Sequence, residues 1–207
     1  MEELKGRFID VLSESGVLLV GDFTLKSGEP SKFFFDFGAI PDGRHLQTLG
    51  ECYADMIEET IGLDGFDVVF GPPYKGIPIA TATVIALANR ERNRNKRYAF
   101  NRKVEKDHGE GGIMLGSVIC PDDRVLIVDD VFSDGAAKRE TLKLLAREAD
   151  PTVVAVVVGI DRSKPGVRET FTKTHGIPVH AICGMPDIDA SVLSTDDEHG
   201  GVLRRRA

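Results

Sequence analysis

The segment Val125-Leu126-Ile127-Val128-Asp129-Asp130-Val131-Phe132-Ser133-Asp134-Gly135 limits what this chain can fold into more than any other. Its apolar start, bounded by charge before and a turn signal after, reads as a fully buried strand. Two carboxylates then stand at the strand's carboxyl end, and Ser-Asp-Gly leads into a helix-forming run from Ala136. In an open parallel sheet that end is where ligands bind. A loop entering a helix there offers backbone N–H groups and the positive dipole end to a phosphate. The aspartates themselves would repel a phosphate; they suit ribose hydroxyls, or a magnesium ion beside the phosphate. A sugar phosphate is the first ligand this arrangement suggests.

The flanking pattern alternates helices and strands. Glu2 to Ser15 has helical periodicity and Gly16 stops it. Phe23 to Lys26, a Ser27-Gly28-Glu29-Pro30 turn and Lys32 to Asp36 form a hairpin pattern. A helix is expected from Arg44 to Thr60 with Asp42 as its cap, a short buried strand at Val68 to Phe70, and an apolar helix from Gly76 to Asn89. Arg97 to Asn101 reads as a strand and Lys103 to Gly116 as a long polar loop. A helix from Ala136 to Ala149, a strand from Val153 to Ile160 and a last strand at Pro178 to Ile182 follow. The expected fold is a doubly wound α/β domain: an open, mostly parallel sheet flanked by helices, with the N-terminal hairpin as a small hood. One domain spans 1–207, the hood taking about residues 1–40.

Charge narrows the partners. A net charge of −7 argues against general nucleic-acid binding. The longest apolar run, Val153 to Ile160, is far too short to span a membrane, and the acidic start lacks a signal peptide's apolar core. Cys52, Cys120 and Cys183 stand far apart without metal-ligand spacing, so buried thiols in a reducing cytoplasm are expected. Against this acidic background, Arg90 to Lys106 is strongly basic. Its first part reads as a solvated helix end and turn. From Arg102 it leads into Lys106-Asp107-His108-Gly109-Glu110-Gly111-Gly112, a glycine-rich segment expected to form a mobile lid over residues 102–113.

The strand and acidic pair from Val125 to Gly135 resemble the phosphoribosyl pyrophosphate (PRPP) signature of type I phosphoribosyltransferases. Tyr98 to Lys103 with Lys106 to Gly112 is similar to the catalytic loop of the orotate-using members. Gly71-Pro72-Pro73-Tyr74-Lys75-Gly76-Ile77-Pro78 resembles that family's second PRPP-contacting loop, and Phe23 to Gly28 with Phe33-Phe34-Phe35 its hood. Asp161-Arg162 lies where the family carries an orotate-contacting arginine. These matches keep the family's order from roughly residue 20 to 165.

The resemblance implies transfer of the phosphoribosyl group of PRPP to orotate, giving orotidine 5′-monophosphate and pyrophosphate, with magnesium held mainly through PRPP. It implies that Lys26, Tyr74, Lys75, Arg102, Lys103, Lys106 and His108 surround the pyrophosphate, Lys106 and His108 acting in catalysis. Asp129 and Asp130 would hold the ribose at a solvent-facing strand end. Val131, Phe132, Ser133, Asp134, Gly135, Ala136 and Ala137 would form the 5′-phosphate loop. Orotate would meet Phe34, Phe35, Ser133 and Arg162, although alternation along a strand turns one of the two phenylalanines inward. The resemblance also implies a homodimer whose lids reach the neighbouring site; with one domain in the sequence, the decarboxylase fused in some relatives is not expected here. One departure stands out: the family's Thr-x-Gly-Thr is here Ser133-Asp134-Gly135-Ala136, which loses a hydroxyl and adds an anion. Weaker phosphate binding, or an Asp134 turned to solvent, is the expected consequence. Two alternatives are a transferase for another base, against which the lid and hood residues argue, and a non-catalytic PRPP sensor, which should lack the lid.

Overall fold

Three parallel strands with apolar residues on both faces anchor the domain. In the computed structural model, which describes residues 1–25, 28–90, 95–106 and 112–198 (side chains at 105–106 and 194–198 excepted), they are β3 (Val68–Gly71), β6 (Arg124–Phe132) and β7 (Thr152–Asp161). The preceding elements are α1 (Glu2–Glu14), the hood strands β1 (Leu18–Thr24) and β2 (Pro30–Phe35), and α2 (Gly43–Thr60). The Asp42 side chain caps α2 by accepting from the Arg44 and His45 amides. Then come α3 (Gly76–Arg90), β4 (Arg97–Lys106), β5 (Gly112–Gly116), α4 (Ala136–Glu148), α5 (Val167–His175), β8 (Val179–Gly184) and α6 (Met185–Glu198). The main sheet has the order β5-β4-β3-β6-β7-β8, and within it only the β4–β5 pair is antiparallel.

Alternation along β6 and β7 feeds two separate cores. Leu126, Val128, Ala155 and Val157 pack with α1, α2, α3 and hood residues. Val125, Ile127, Val156 and Val158 pack with Leu145 of α4 and Phe171 of α5. Coverage of both faces is why these strands read as continuous apolar runs rather than alternating ones. The chain leaves β3 toward one edge through α3 and leaves β6 toward the other through α4, on opposite faces. A crevice at the carboxyl ends of β3 and β6 follows from that reversal.

Four expectations change. The stretch 103–116 is not one loop: β4 continues to Lys106 and β5 returns antiparallel, Phe100 opposite Leu115 and Lys106 opposite Gly112. An edge hairpin needs no buried face, so its polar composition hid it. Helix α5 was not anticipated because Phe171 is its sole buried side chain and threonines weaken its signal. Helix α6 carries a proline in its first turn and a short mixed sequence. Cys52 and Cys183 are buried, burial raising the Cys183 thiol to about 12, but Cys120 is exposed on the loop after β5. Among the described residues no helix is long and apolar enough to cross a membrane.

Candidate active site

Two strand-to-helix turns meet at the crevice. In the first, β3 enters α3 so tightly that a Cβ on Gly71 would lie 2.2 Å from the Gly76 carbonyl oxygen. Only glycine permits that approach. The turn between them holds Tyr74 68% exposed and aims Lys75 across the crevice. Lys75 Nζ stands 3.5 Å from Asp130 Oδ2 and 3.9 Å from Asp36 Oδ1, at the end of the hood. Lys103, on β4, lies over the Tyr74 ring at 5.8 Å from its centroid.

In the second turn, β6 enters α4 through an exposed Ser133 and Asp134 and a buried Gly135 in the left-handed region, φ 74°. Ala136 and Ala137 are exposed at the start of the helix. Asp134 lies at the surface, as one of the expected outcomes had it. Its Oδ1 accepts from the Ala136 amide at 2.9 Å, so one of the helix's free N–H groups already has an anionic partner. The Phe132 side chain is fully buried against Phe171, ring centroids 5.4 Å apart, so that residue can offer a ligand its backbone alone.

The acidic pair divides between the two sides of β6. Asp130 is half-buried near Lys75, its Oδ1 accepting from the Val131 amide at 2.7 Å. Asp129 is buried, which overturns the expectation of a solvent-facing pair. Its Oδ2 meets Lys138 Nζ at 2.6 Å, and its Oδ1 accepts from the Asp130 amide at 2.9 Å. The reason is geometric: neighbours on a strand face opposite ways, and α4 covers the side to which Asp129 points. Burial raises the Asp129 carboxyl above its ordinary value, while the Lys138 ammonium opposes the rise and the Asp130 charge adds to it.

On the hood side, Phe33 and Phe35 are core residues and Phe34 is 39% exposed, tilted against Phe23 with ring centroids 5.6 Å apart. Phe35 is therefore sealed from any ligand. Arg162, at the end of β7, is half-buried; its amide donates to the Phe132 carbonyl at 2.9 Å. Burial lowers its guanidinium from the usual value, and the Glu29 charge partly restores it. Glu29 also holds Lys164 at 2.7 Å, tying the hood to the loop after β7.

A family model, the phosphoribosyl transferase domain, matches residues 46–185. The orotate phosphoribosyltransferase of Bifidobacterium animalis subsp. lactis is 41% identical over 96% of this chain and 90% of its own length. That of Lachnoclostridium phytofermentans is 40% identical over 91% of this chain and 85% of its own. The chain belongs to the orotate phosphoribosyltransferase family. A solved orotate phosphoribosyltransferase from Francisella tularensis superposes with a TM-score of 0.73, at 32% identity over 90% of each chain.

For a member of the orotate phosphoribosyltransferase family, part of the expected set stands at the ends of β3, β4 and β6. Tyr74, Lys75, Lys103, Asp130 and the turn from Ser133 to Ala137 surround the crevice, while Phe34 lies on the hood and Arg162 just after β7. Arg102 is engaged within the edge hairpin, its Nη1 donating to the Gly112 carbonyl at 2.9 Å. Lys26 and His108 lie outside the described residues, as does the Lys106 side chain; the segment expected as a lid, 102–113, holds the facing ends of β4 and β5. Two charged residues at the site escaped sequence reasoning. Asp36 follows the hood strand and read only as the last residue of the hairpin pattern. Lys138 occupies the core-facing stripe of α4 with Thr141 and Leu145, where an apolar residue is the norm. A cation in that stripe, one helical turn past a phosphate-type loop, was the available signal.

Proposed function

We propose that the chain transfers the 5-phosphoribosyl group of PRPP to orotate, forming orotidine 5′-monophosphate and pyrophosphate in pyrimidine nucleotide synthesis. One observation carries the reading. An acidic strand end, a facing lysine and a helix N-terminus meet at a single switch point, in a chain 41% identical over nearly its whole length to an orotate phosphoribosyltransferase.

The chemistry is a displacement at the anomeric carbon. The bond to the diphosphate oxygen breaks with its electron pair leaving on pyrophosphate. A ring nitrogen of orotate, losing its proton, forms the new bond. Positive charge grows on the ribose and negative charge on the leaving group. Lys75, Arg102, Lys103, Lys106 and His108 supply fixed positive charge and hydrogen bonds to the pyrophosphate. Asp130 meets the ribose hydroxyls and offsets the ring charge, the N–H groups from Ser133 to Ala137 take the 5′-phosphate, and these contacts hold the sugar in line. Arg162 faces the orotate carboxylate and Phe34 its ring. The residues fit a magnesium ion carried on the diphosphate: the crevice offers Asp130 rather than a cage of carboxylates, which suits an ion that keeps its waters and its phosphate ligands. Magnesium bound there would neutralise leaving-group charge. The reaction belongs in the cytoplasm.

Base consumption with PRPP and magnesium tests the substrate: orotate should be consumed, and uracil, adenine and hypoxanthine should not. Turnover of a purine in place of orotate would reassign the base, and tight PRPP binding without any turnover would make the chain a sensor. A homodimer with shared sites is the proposed assembly, the β4–β5 hairpin of each chain serving its neighbour. Mixing inactive Lys106→Ala and Asp130→Asn proteins with subunit exchange should restore activity, because one site in each mixed dimer carries neither defect. Activity staying at parental levels after verified exchange would place the hairpin in its own chain's site.

A further inference from the structure

Lys138 is nearly inaccessible, its side chain 4% exposed on the inward stripe of α4. A cation in that stripe is tolerated only with a partner. Its partners are Asp129 Oδ2 and the Val131 carbonyl oxygen, both at 2.6 Å. The other oxygen of Asp129 is already bound to the Asp130 amide, so both carboxylate oxygens are engaged within the protein. Asp130 differs: its Oδ1 is engaged by the Val131 amide, while its Oδ2 faces Lys75 across the crevice at 3.5 Å.

We propose that Lys138 is a positioning residue which withdraws Asp129 from the acidic pair, making it a neutralised strut between β6 and α4 and leaving Asp130 as the carboxylate that meets the ribose. The inference rests on the PRPP reading of the crevice and divides the labour within it. Two adjacent free carboxylates would repel each other; one is cancelled from behind, so the crevice presents a single charge toward the sugar. Because Lys138 also holds the Val131 carbonyl, the same contact fixes where the backbone turns into the phosphate loop.

The decisive comparison uses Asp129→Asn, Lys138→Met, their combination, and Asp130→Asn. Either single change at the buried pair strands the other partner and should lower Tm on the order of 10 °C. The combination should regain most of that loss. Its kcat/KM for PRPP should fall no more than about tenfold, through a rise in KM rather than a loss of kcat, while Asp130→Asn should lose about 100-fold or more with Tm nearly intact. If the Met combination does not fold, Asp129→Asn with Lys138→Gln keeps an uncharged contact and serves in its place. A combination that regains Tm yet is as inactive as Asp130→Asn would overturn the proposal, since Asp129 would then touch the sugar itself. Failure of both combinations to regain stability would overturn it too, since the pair would not be a strut. PRPP binding with magnesium, read as a Tm rise, ranks the same variants without a base present. Failure of orotate turnover therefore leaves this test standing.

Discussion

The turns after β3 and β6 occupy equivalent places on adjacent parallel strands, yet they are built on opposite plans. The first is closed by the contact of Gly71 with Gly76 and delivers one long side chain, Lys75. The second is open, with Gly135 left-handed and the residues around it at the surface, and it delivers backbone N–H groups. A rigid turn suits a point charge that must be aimed; an open one suits an anion that several amides share. The sequence difference follows: prolines and glycines enclose the first, small polar residues line the second.

Breaking that contrast should cost most at Lys75. Lys75→Ala removes the one charge the closed turn aims, and kcat/KM should fall roughly 10²- to 10³-fold with Tm unchanged within a few degrees. A fall below about tenfold would mean that the turn works through its backbone after all. Gly71→Ala attacks the closure itself; forcing strand and helix apart should cost about 3 kcal/mol, read as a lower urea midpoint. An unchanged midpoint would show that the close approach is dispensable. Asp134→Ala sharpens the description of the open turn. It frees the Ala136 amide and removes an anion, so KM for PRPP should drop a few-fold, while a rise would mean that the Asp134 contact pre-shapes the loop.

The smallest effect belongs to the far ends of the same two strands. There Arg124, opening β6, grips Asp67, just before β3, at 2.8 Å, and this hydrogen-bonded pair lowers the Asp67 carboxyl to about 2. A carboxylate depressed in the folded state stabilises above its unfolded pKa and loses that contribution as pH falls. Asp67→Asn should therefore cost below about 1 kcal/mol near neutral pH, the pair being partly exposed. The gap between wild type and variant should close between about pH 4 and 2, followed by urea melts at each pH. A gap that persists at pH 2 would assign the effect to shape rather than charge.

Much of this was legible from residues alone. Val125 to Val128 declared a two-sided strand, Asp42 a helix cap, and Asp129 to Gly135 a strand end turning into a helix. Other features depend on partners distant in sequence. Alternation says that Phe34 and Phe35 face apart, but packing against distant elements decides which is inside: Phe35 joins the core with α1 and α2, and Phe34 is left 39% exposed. Asp129 and Asp130 look alike until α4 folds back and brings Lys138 to the first. β5 was invisible because its register comes from β4, not from a hydrophobic pattern of its own.

The partition of the interior by the sheet has a consequence for how such a site can change over time. Lys75 rides on a turn anchored by the α2–α3 core, and the phosphate loop rides on one anchored by the α4–α5 core. Substitutions that repack one core can shift one side of the crevice while the other stays in place. The two inherit separately, like independently adjustable jaws of a vice. Their shared bed is β6, and there the Tyr53 hydroxyl, reaching from the first core, donates to the Asp129 carbonyl at 2.7 Å, directly behind the carboxylate that the second core holds. Drift in either half is thus referred to a common fixed point, one residue from Asp130.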